Sequence, residues 1–178
     1  MIRSGAPEED RDIYEYGLEC TLNELISDLI LLAAAVLLHR VWQMILWIVI
    51  FNIMRVHVGG YHAKTPAGCL FGSTMAGIIC VMAYPLFTGV KWLIWGSMIA
   101  CNLIIWMIAP VTHPNHPVPP ARRERFKRRA KILGVVLGIA AVWLESRRPE
   151  VAALITVTSL TVCLLSFVAF SCTKKSNW

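Results

Sequence analysis

Residues 70–88 read LFGSTMAGIICVMAYPLFT and contain no charged side chain. Two further uncharged apolar runs cover residues 92–109 and 151–170. A helix of about 20 apolar residues crosses the roughly 30 Å hydrocarbon layer of a bilayer, so each run is predicted to span a membrane. Three shorter apolar runs are also present, at residues 25–38, 41–54 and 132–144. Each shorter run fits a tilted span, a re-entrant segment or an interfacial helix. The sequence therefore predicts an all-α integral membrane protein with four to six membrane-embedded helices, some of them short or re-entrant.

The overall composition points in the same direction. The chain has 178 residues, of which 57% are hydrophobic and 16% are charged. Soluble domains average about 45–50% apolar and about 25% charged residues. The net charge of +6 would suit a nucleic-acid partner, but the hydrophobicity and the lack of a binding motif argue against one. The six cysteines include no CxxC pair, so they are expected to be free thiols. The length fits a single polytopic membrane domain over residues 1–178.

The basic residues predict which end of the bundle faces the cytoplasm. If all six apolar runs cross, thirteen of the 17 Lys and Arg residues lie on the side of the N-terminus. An excess of Lys and Arg marks cytoplasmic loops, so both termini are expected in the cytoplasm, with residues 1–20 as a cytoplasmic or interfacial segment and residues 171–178 as a tail. The polar segments at 55–69 and 110–131 lie on this same side whether the short runs cross or re-enter. We expect a multi-pass membrane protein in contact with anionic lipids.

Residues 55–69, RVHVGGYHAKTPAGC, form the polar segment with the clearest chemical content. A cysteine nucleophile acts as a thiolate and needs a base or a positive field nearby, and the nearest candidate base for Cys69 is His62. One unbroken helix would hold the two residues about 10.5 Å apart along its axis. However, Thr65 and Pro66 form a helix start signal. This break leaves His62 on a loop and places Cys69 at the fourth position of a new helix, where the helix N-terminus favours a thiolate. The segment is therefore predicted to be a catalytic loop and helix start.

The same segment holds two glycines and leaves a competing interpretation open. Gly59 and Gly60 allow close backbone approach, and their N–H groups, or those of the helix start, are candidates for an oxyanion hole. A metal site is the alternative, and it would use four histidines from the two polar segments, His57, His62, His113 and His116. Such a site would need carboxylate or thiolate ligands that these loops hardly offer. No metal and no cofactor is therefore predicted.

The second polar segment, APVTHPNHPVPP, covers residues 109–120. Its five prolines exclude a regular helix, and its polar groups include His113, Asn115 and His116. The segment is either a rigid turn or a loop that orients His62 or lines a substrate groove. Asparagine is a known orienting residue in Cys–His sites. The third member of a catalytic group stays open among four residues, with Asn115 slightly favoured: Asn115, His113, Arg55 and Lys64.

A strongly basic run follows, with the sequence RRERFKRRAK over residues 122–131. One interpretation is that it sets the membrane topology and contacts anionic lipids. The other is that it also attracts an acidic peptide partner. The candidate substrate-binding side chains are Arg122, Arg123, Arg125, Lys127, Arg128 and Arg129.

Together the two polar segments resemble the signatures of the AgrB family, accessory gene regulator protein B of Gram-positive quorum sensing. GGYHAKTPAGC is similar to that family's GGxHA-x5-C signature, and APVTHPNHPV resembles a second one, AP-V-x-H-x-N-x-P followed by a basic run. The order, spacing and hydrophobic layout match from about residue 14 to residue 170. Two positions depart from the pattern. Thr112 stands where many members have an acidic residue and His116 where Lys or Arg is common, which weakens any catalytic role for residue 112.

The resemblance implies a membrane-embedded cysteine endopeptidase of the bacterial cell membrane. By the matching positions, Cys69 would be the nucleophile and His62 its general base. Family members remove the C-terminal tail of an AgrD-type precursor peptide, leave a peptidyl thioester on the enzyme, and close the peptide into a thiolactone or lactone signal. They are also described as homodimers. The alternative from a different class is a small membrane transporter or metal carrier that uses the His-rich loops.

Overall fold

The computed structural model describes residues 11–59, 65–111 and 120–176, and every regular element in these ranges is helical. The helices are α1 (Arg11–Leu37), α2 (Val41–Val58), α3 (Pro66–Ala83), α4 (Lys91–Ile108), α5 (Pro120–Leu144) and α6 (Pro149–Ser176), with a 3₁₀ turn at Tyr84–Phe87. The predicted all-α class is therefore confirmed.

Four of the described helices are long and apolar enough to cross a membrane. They cover Val41–Val58, Pro66–Phe87, Lys91–Ile108 and Pro149–Cys172. The three long apolar runs are thus confirmed as span-length helices. The shorter apolar run at 41–54 belongs to a fourth span-length helix, Val41–Val58. The runs at 25–38 and 132–144 lie mainly in the second halves of α1 and α5, which each begin in a polar segment. The chain is a multi-pass membrane protein.

Helix α6 lies at the centre of the bundle. All residues from 152 to 159 are buried, and the helix contacts α2, α3, α4 and α5. Three buried hydroxyl groups, those of Thr156, Thr158 and Ser159, each donate a hydrogen bond of 2.7–2.8 Å to the carbonyl four residues earlier. These polar side chains therefore sit in an apolar interior with their donors satisfied.

Helix α1 packs along the outside of α2 and α3. Its buried face carries Leu31 and Ala35, whereas Leu25 and Leu29 are exposed. Only three residues, 38–40, separate α1 from α2, and such short connections join antiparallel neighbours. The N-terminal part of α1 therefore runs beside the C-terminal end of α2, where the first polar segment begins.

Candidate active site

Cys69 lies in the first turn of α3, at the position that the sequence predicts. Thr65 has an extended backbone and its hydroxyl group accepts a hydrogen bond from the Gly68 N–H, while Pro66 occupies the first helical position. The Cys69 N–H donates to the Thr65 carbonyl at 3.1 Å. The residues of this turn are exposed and Cys69 itself is half-buried. The thiol thus lies at a helix N-terminus, whose partial positive charge favours the thiolate.

Arg55 is the cation nearest to this thiol among the contacts that the structure describes. It belongs to the last turn of α2, and its Nη2 atom points at the Cys69 Sγ atom from 3.4 Å. The guanidinium carbon also lies 5.5 Å from the centre of the Phe51 ring, which supports the side chain in this direction. Of the four residues left open as third members of a catalytic group, Arg55 is the one that the described structure brings to Cys69.

A polar cluster surrounds the Arg55–Cys69 contact within the bundle. The Ser73 hydroxyl group donates to the Cys69 carbonyl at 2.9 Å and lies 2.8 Å from the Ser27 hydroxyl group of α1. On the other side, Asn52 of α2 donates to a carboxylate oxygen of Asp28 at 3.0 Å. Helix α1 is thereby hydrogen-bonded to both helices that carry the Arg55–Cys69 contact.

The sequence did not lead us to predict that α1 supplies polar side chains beside the Arg55–Cys69 contact. A signal was present, because Glu24 and Asp28 are the only charged residues between positions 21 and 37. Ionisable side chains within an apolar helix usually face the interior of a bundle and often mark a functional site. The pKa of Glu24 is raised, and burial is the main cause. The positive charge of Arg55 opposes this rise in pKa, whereas the negative charge of Asp28 adds to it.

The two polar segments meet at the same end of the bundle. Val111 donates from its N–H to the Val58 carbonyl at 3.0 Å, and the next carbonyl, that of Gly59, accepts from the Ser166 hydroxyl group of α6 at 2.9 Å. Gly59 has a φ of +83°, which side-chain-bearing residues rarely adopt. A Cβ atom there would lie 2.4 Å from the Val111 carbonyl oxygen. The Gly59 N–H donates to the Arg55 carbonyl at 3.1 Å.

The start of α5 lies beside the first polar segment. The His57 ring contacts the Phe126 ring with a centroid separation of 5.9 Å. Four of the basic side chains that follow Pro120 are exposed, Arg123, Arg125, Arg128 and Arg129. Lys127 is half-buried and lies 3.9 Å from Glu124. We refer to the four exposed arginines as the basic surface.

Several predicted site residues lie outside the described ranges. They are His62, Gly60, Lys64, Thr112, His113, Asn115 and His116, and the side chain of Arg122 is likewise outside them. Within the described part of the chain, no group of three or more His, Cys, Asp or Glu side chains could hold a metal ion. Five cysteines in that part are free thiols, as expected: Cys69, Cys80, Cys101, Cys163 and Cys172.

Comparison with known proteins agrees with these features. The family model for accessory gene regulator B matches residues 2–172. A protein of Halalkalibacterium halodurans, whose name describes it only as AgrB-like, is 27% identical over 169 residues, which cover 95% of this chain and 82% of the relative. No solved structure matches the chain. The family match extends over nearly the whole sequence, and the chain therefore belongs to the AgrB family of the accessory gene regulator system.

Proposed function

We propose that the protein is a cysteine endopeptidase that removes the C-terminal tail of an AgrD-type precursor peptide and promotes closure of the remaining peptide into a thiolactone or lactone. The observation that carries the proposal is the placement of Cys69. Its thiol lies in the first turn of α3, with a guanidinium nitrogen of Arg55 at 3.4 Å. A helix N-terminus and a cation both stabilise a thiolate relative to a thiol.

His62 is the proposed general base, and the anchoring of its loop supports the assignment. The segment 60–64 joins Gly59, which is tied to Val111 and α6, to Thr65, which caps α3. Three residues of extended chain reach at most about 11 Å, so the His62 backbone stays within that distance of Thr65. A base on this loop can therefore reach the thiol of the next helical turn.

The proposed reaction begins when His62 accepts the Cys69 proton and the thiolate attacks the scissile carbonyl carbon. The N–H groups of Gly60 and of Ala67 at the α3 start are the proposed donors to the oxyanion. The N–H groups of Gly59, Gly68 and Cys69 already donate to Arg55 and Thr65. The C–N bond then breaks, His62 returns the proton to the leaving amine, and the tail departs. A peptidyl thioester on Cys69 remains. A cysteine or serine side chain of the peptide attacks this thioester, forms the ring, and releases the enzyme thiol.

The basic surface is the proposed contact for the acidic tail of the precursor. Arg123, Arg125, Arg128 and Arg129 are exposed on α5, and the Phe126–His57 contact places this helix next to the first polar segment. Clustered positive charge raises the local concentration of an acidic peptide. The same charges suit the cytoplasmic side and its anionic lipids, so we place this end of the bundle, with both termini, in the cytoplasm of the bacterial cell.

We also propose that the chain is one polytopic peptidase domain that works as a homodimer, in line with the family. A site at the membrane face limits the access of water, which would otherwise hydrolyse the thioester before the ring closes. The segments at 55–69 and 110–131 are the parts of the domain that hold the proposed catalytic group and the substrate contact.

Wild-type protein and Cys69→Ala in membrane vesicles test the proposal. The cognate precursor peptide is added, and mass spectrometry follows the released tail and an acyl adduct on the Cys69 peptide. We expect both products with wild type and neither with Cys69→Ala, while Cys80→Ser serves as a matched control that retains cleavage. Cleavage by folded Cys69→Ala would refute the proposal. A transporter or metal carrier would tolerate Cys69→Ala and would fail instead when several histidines are replaced.

A further inference from the structure

Glu24 of α1 is a charged residue near the Arg55–Cys69 pair and has no role in the proposed reaction. Helices α1 and α2 are antiparallel, and Asp28 is bonded to Asn52 across their interface. Glu24 precedes Asp28 by four residues, a displacement of about 6 Å along α1, and Arg55 follows Asn52 by three residues, about 4.5 Å along α2. Both displacements run toward the Cys69 end, so Glu24 lies opposite Arg55.

We propose that Glu24 is a positioning residue whose carboxylate holds the Arg55 guanidinium group against the Cys69 sulfur. The three residues belong to three different helices, α1, α2 and α3, so the arrangement exists only in the folded bundle. An arginine side chain has several rotatable bonds and five N–H donors. A carboxylate on one side of the guanidinium fixes the direction in which the remaining donors point. The assignment rests on the proposed function in one respect: a fixed guanidinium group serves the protein only if Cys69 acts as a nucleophile.

The electrostatics of Glu24 support the juxtaposition. The positive charge of Arg55 acts on the Glu24 carboxyl group and lowers its pKa, although burial and Asp28 together raise the pKa above its usual value. The folded chain therefore keeps a carboxyl group where its ionised form is disfavoured. The Ser27–Ser73 and Asp28–Asn52 hydrogen bonds already join α1 to its neighbours.

Two roles of Glu24 predict opposite results, which makes the assignment testable. If Glu24 only adds negative charge near Cys69, then Glu24→Gln makes the thiolate easier to form. If Glu24 positions Arg55, then Glu24→Gln releases the guanidinium group and makes the thiolate harder to form. The sign of the change in thiolate formation separates the two roles.

The experiment measures the alkylation rate of Cys69 by iodoacetamide as a function of pH. It uses the full-length protein in detergent, and peptide mass spectrometry resolves Cys69 from the other thiols. For Glu24→Gln we expect the midpoint of the pH profile to move upward and the rate near neutral pH to fall by about three- to tenfold. Glu124→Gln is the matched control, because it removes one exposed carboxylate at the same end of the bundle and should leave the profile unchanged.

A downward shift or an unchanged profile in Glu24→Gln would overturn the assignment. Glu24→Asp provides a second test that retains the charge but withdraws the carboxylate by one methylene. We expect the same upward shift, smaller in size, whereas a charge effect alone would leave the profile unchanged and would overturn the assignment.

Arg55→Gln shows whether the effect passes through the guanidinium group. In that background, Glu24→Gln should cause no further upward shift. A second shift of equal size would mean that Glu24 acts on Cys69 by another route and would refute the positioning role. The alkylation profile requires no precursor peptide, so this test and the test of the proposed function can fail independently.

Discussion

Gly59→Ala is the substitution whose consequence follows most directly from the structure. Gly59 has φ +83° and ψ −175°, a combination that is almost confined to glycine and costs other residues about 1–3 kcal/mol. The added Cβ atom would also lie 2.4 Å from the Val111 carbonyl oxygen, about 1 Å short of the 3.4 Å at which ordinary contact begins. Other hydrogen bonds hold the backbone of both Gly59 and Val111 in place, so the junction between the two polar segments has to open.

We expect Gly59→Ala to lower the thermal midpoint of the detergent-solubilised protein by several degrees, as a loss of about 1–3 kcal/mol implies for a chain of this length. Precursor cleavage should fall at least about tenfold, because the loop that carries His62 begins at Gly59 and a small misplacement of catalytic groups is costly. Thermal unfolding followed by size-exclusion chromatography measures the first effect, and tail release measured by mass spectrometry measures the second.

Gly72→Ala is the matched control for this experiment. Gly72 lies in α3, three residues after Cys69, and a Cβ atom there would meet nothing within 4 Å. Alanine is favoured over glycine inside a helix by roughly 0.5–1 kcal/mol, so this variant should be as stable as wild type or slightly more stable, with cleavage retained. If Gly59→Ala matched Gly72→Ala in stability and activity, the reasoning about the junction would be refuted.

Three further predictions concern charge. Arg55→Gln removes the cation beside the proposed nucleophile, Cys69. Since a charged hydrogen bond is worth about 1.5–3 kcal/mol, precursor cleavage should slow about tenfold or more. Unchanged kinetics in a folded variant would contradict this. Arg125→Glu combined with Arg128→Glu should weaken cleavage of a precursor with an acidic tail and reduce its salt dependence. Arg147→Glu, in the connection that follows the opposite end of α5, should have neither effect. Equal effects of both changes would count against the basic surface. Because the pKa of Glu24 is raised above its usual 4.5, chiefly by burial, the stability that this group contributes is present at low pH and is lost as pH rises through its folded pKa. Relative to Glu24→Gln, wild type should therefore lose thermal stability as pH rises above about 4.5. Parallel pH profiles of the two proteins would argue against this.

Much of the architecture could be predicted from local sequence patterns. The uncharged runs at 70–88, 92–109 and 151–170 indicated spans because length and apolar character are local properties that a bilayer requires. Thr65 and Pro66 indicated the start of α3 because capping depends on neighbouring residues alone. The segment at 41–54 remained ambiguous, since its apolar run is shorter than a span, and the structure extends the helix to Val58 through Arg55 and His57.

The sequence by itself determined the membrane class, the start of α3 with its cysteine at the helix N-terminus and, through its resemblance, the AgrB family. Only the tertiary structure decided that Arg55 contacts Cys69, that α1 supplies the polar groups around them, and that Gly59 joins the two polar segments. The physical reason is the separation along the sequence of the residues that interact. Helix propensity, capping and hydropathy are set within a few residues, whereas these contacts join side chains on different helices, whose relative register is set by packing across the whole bundle.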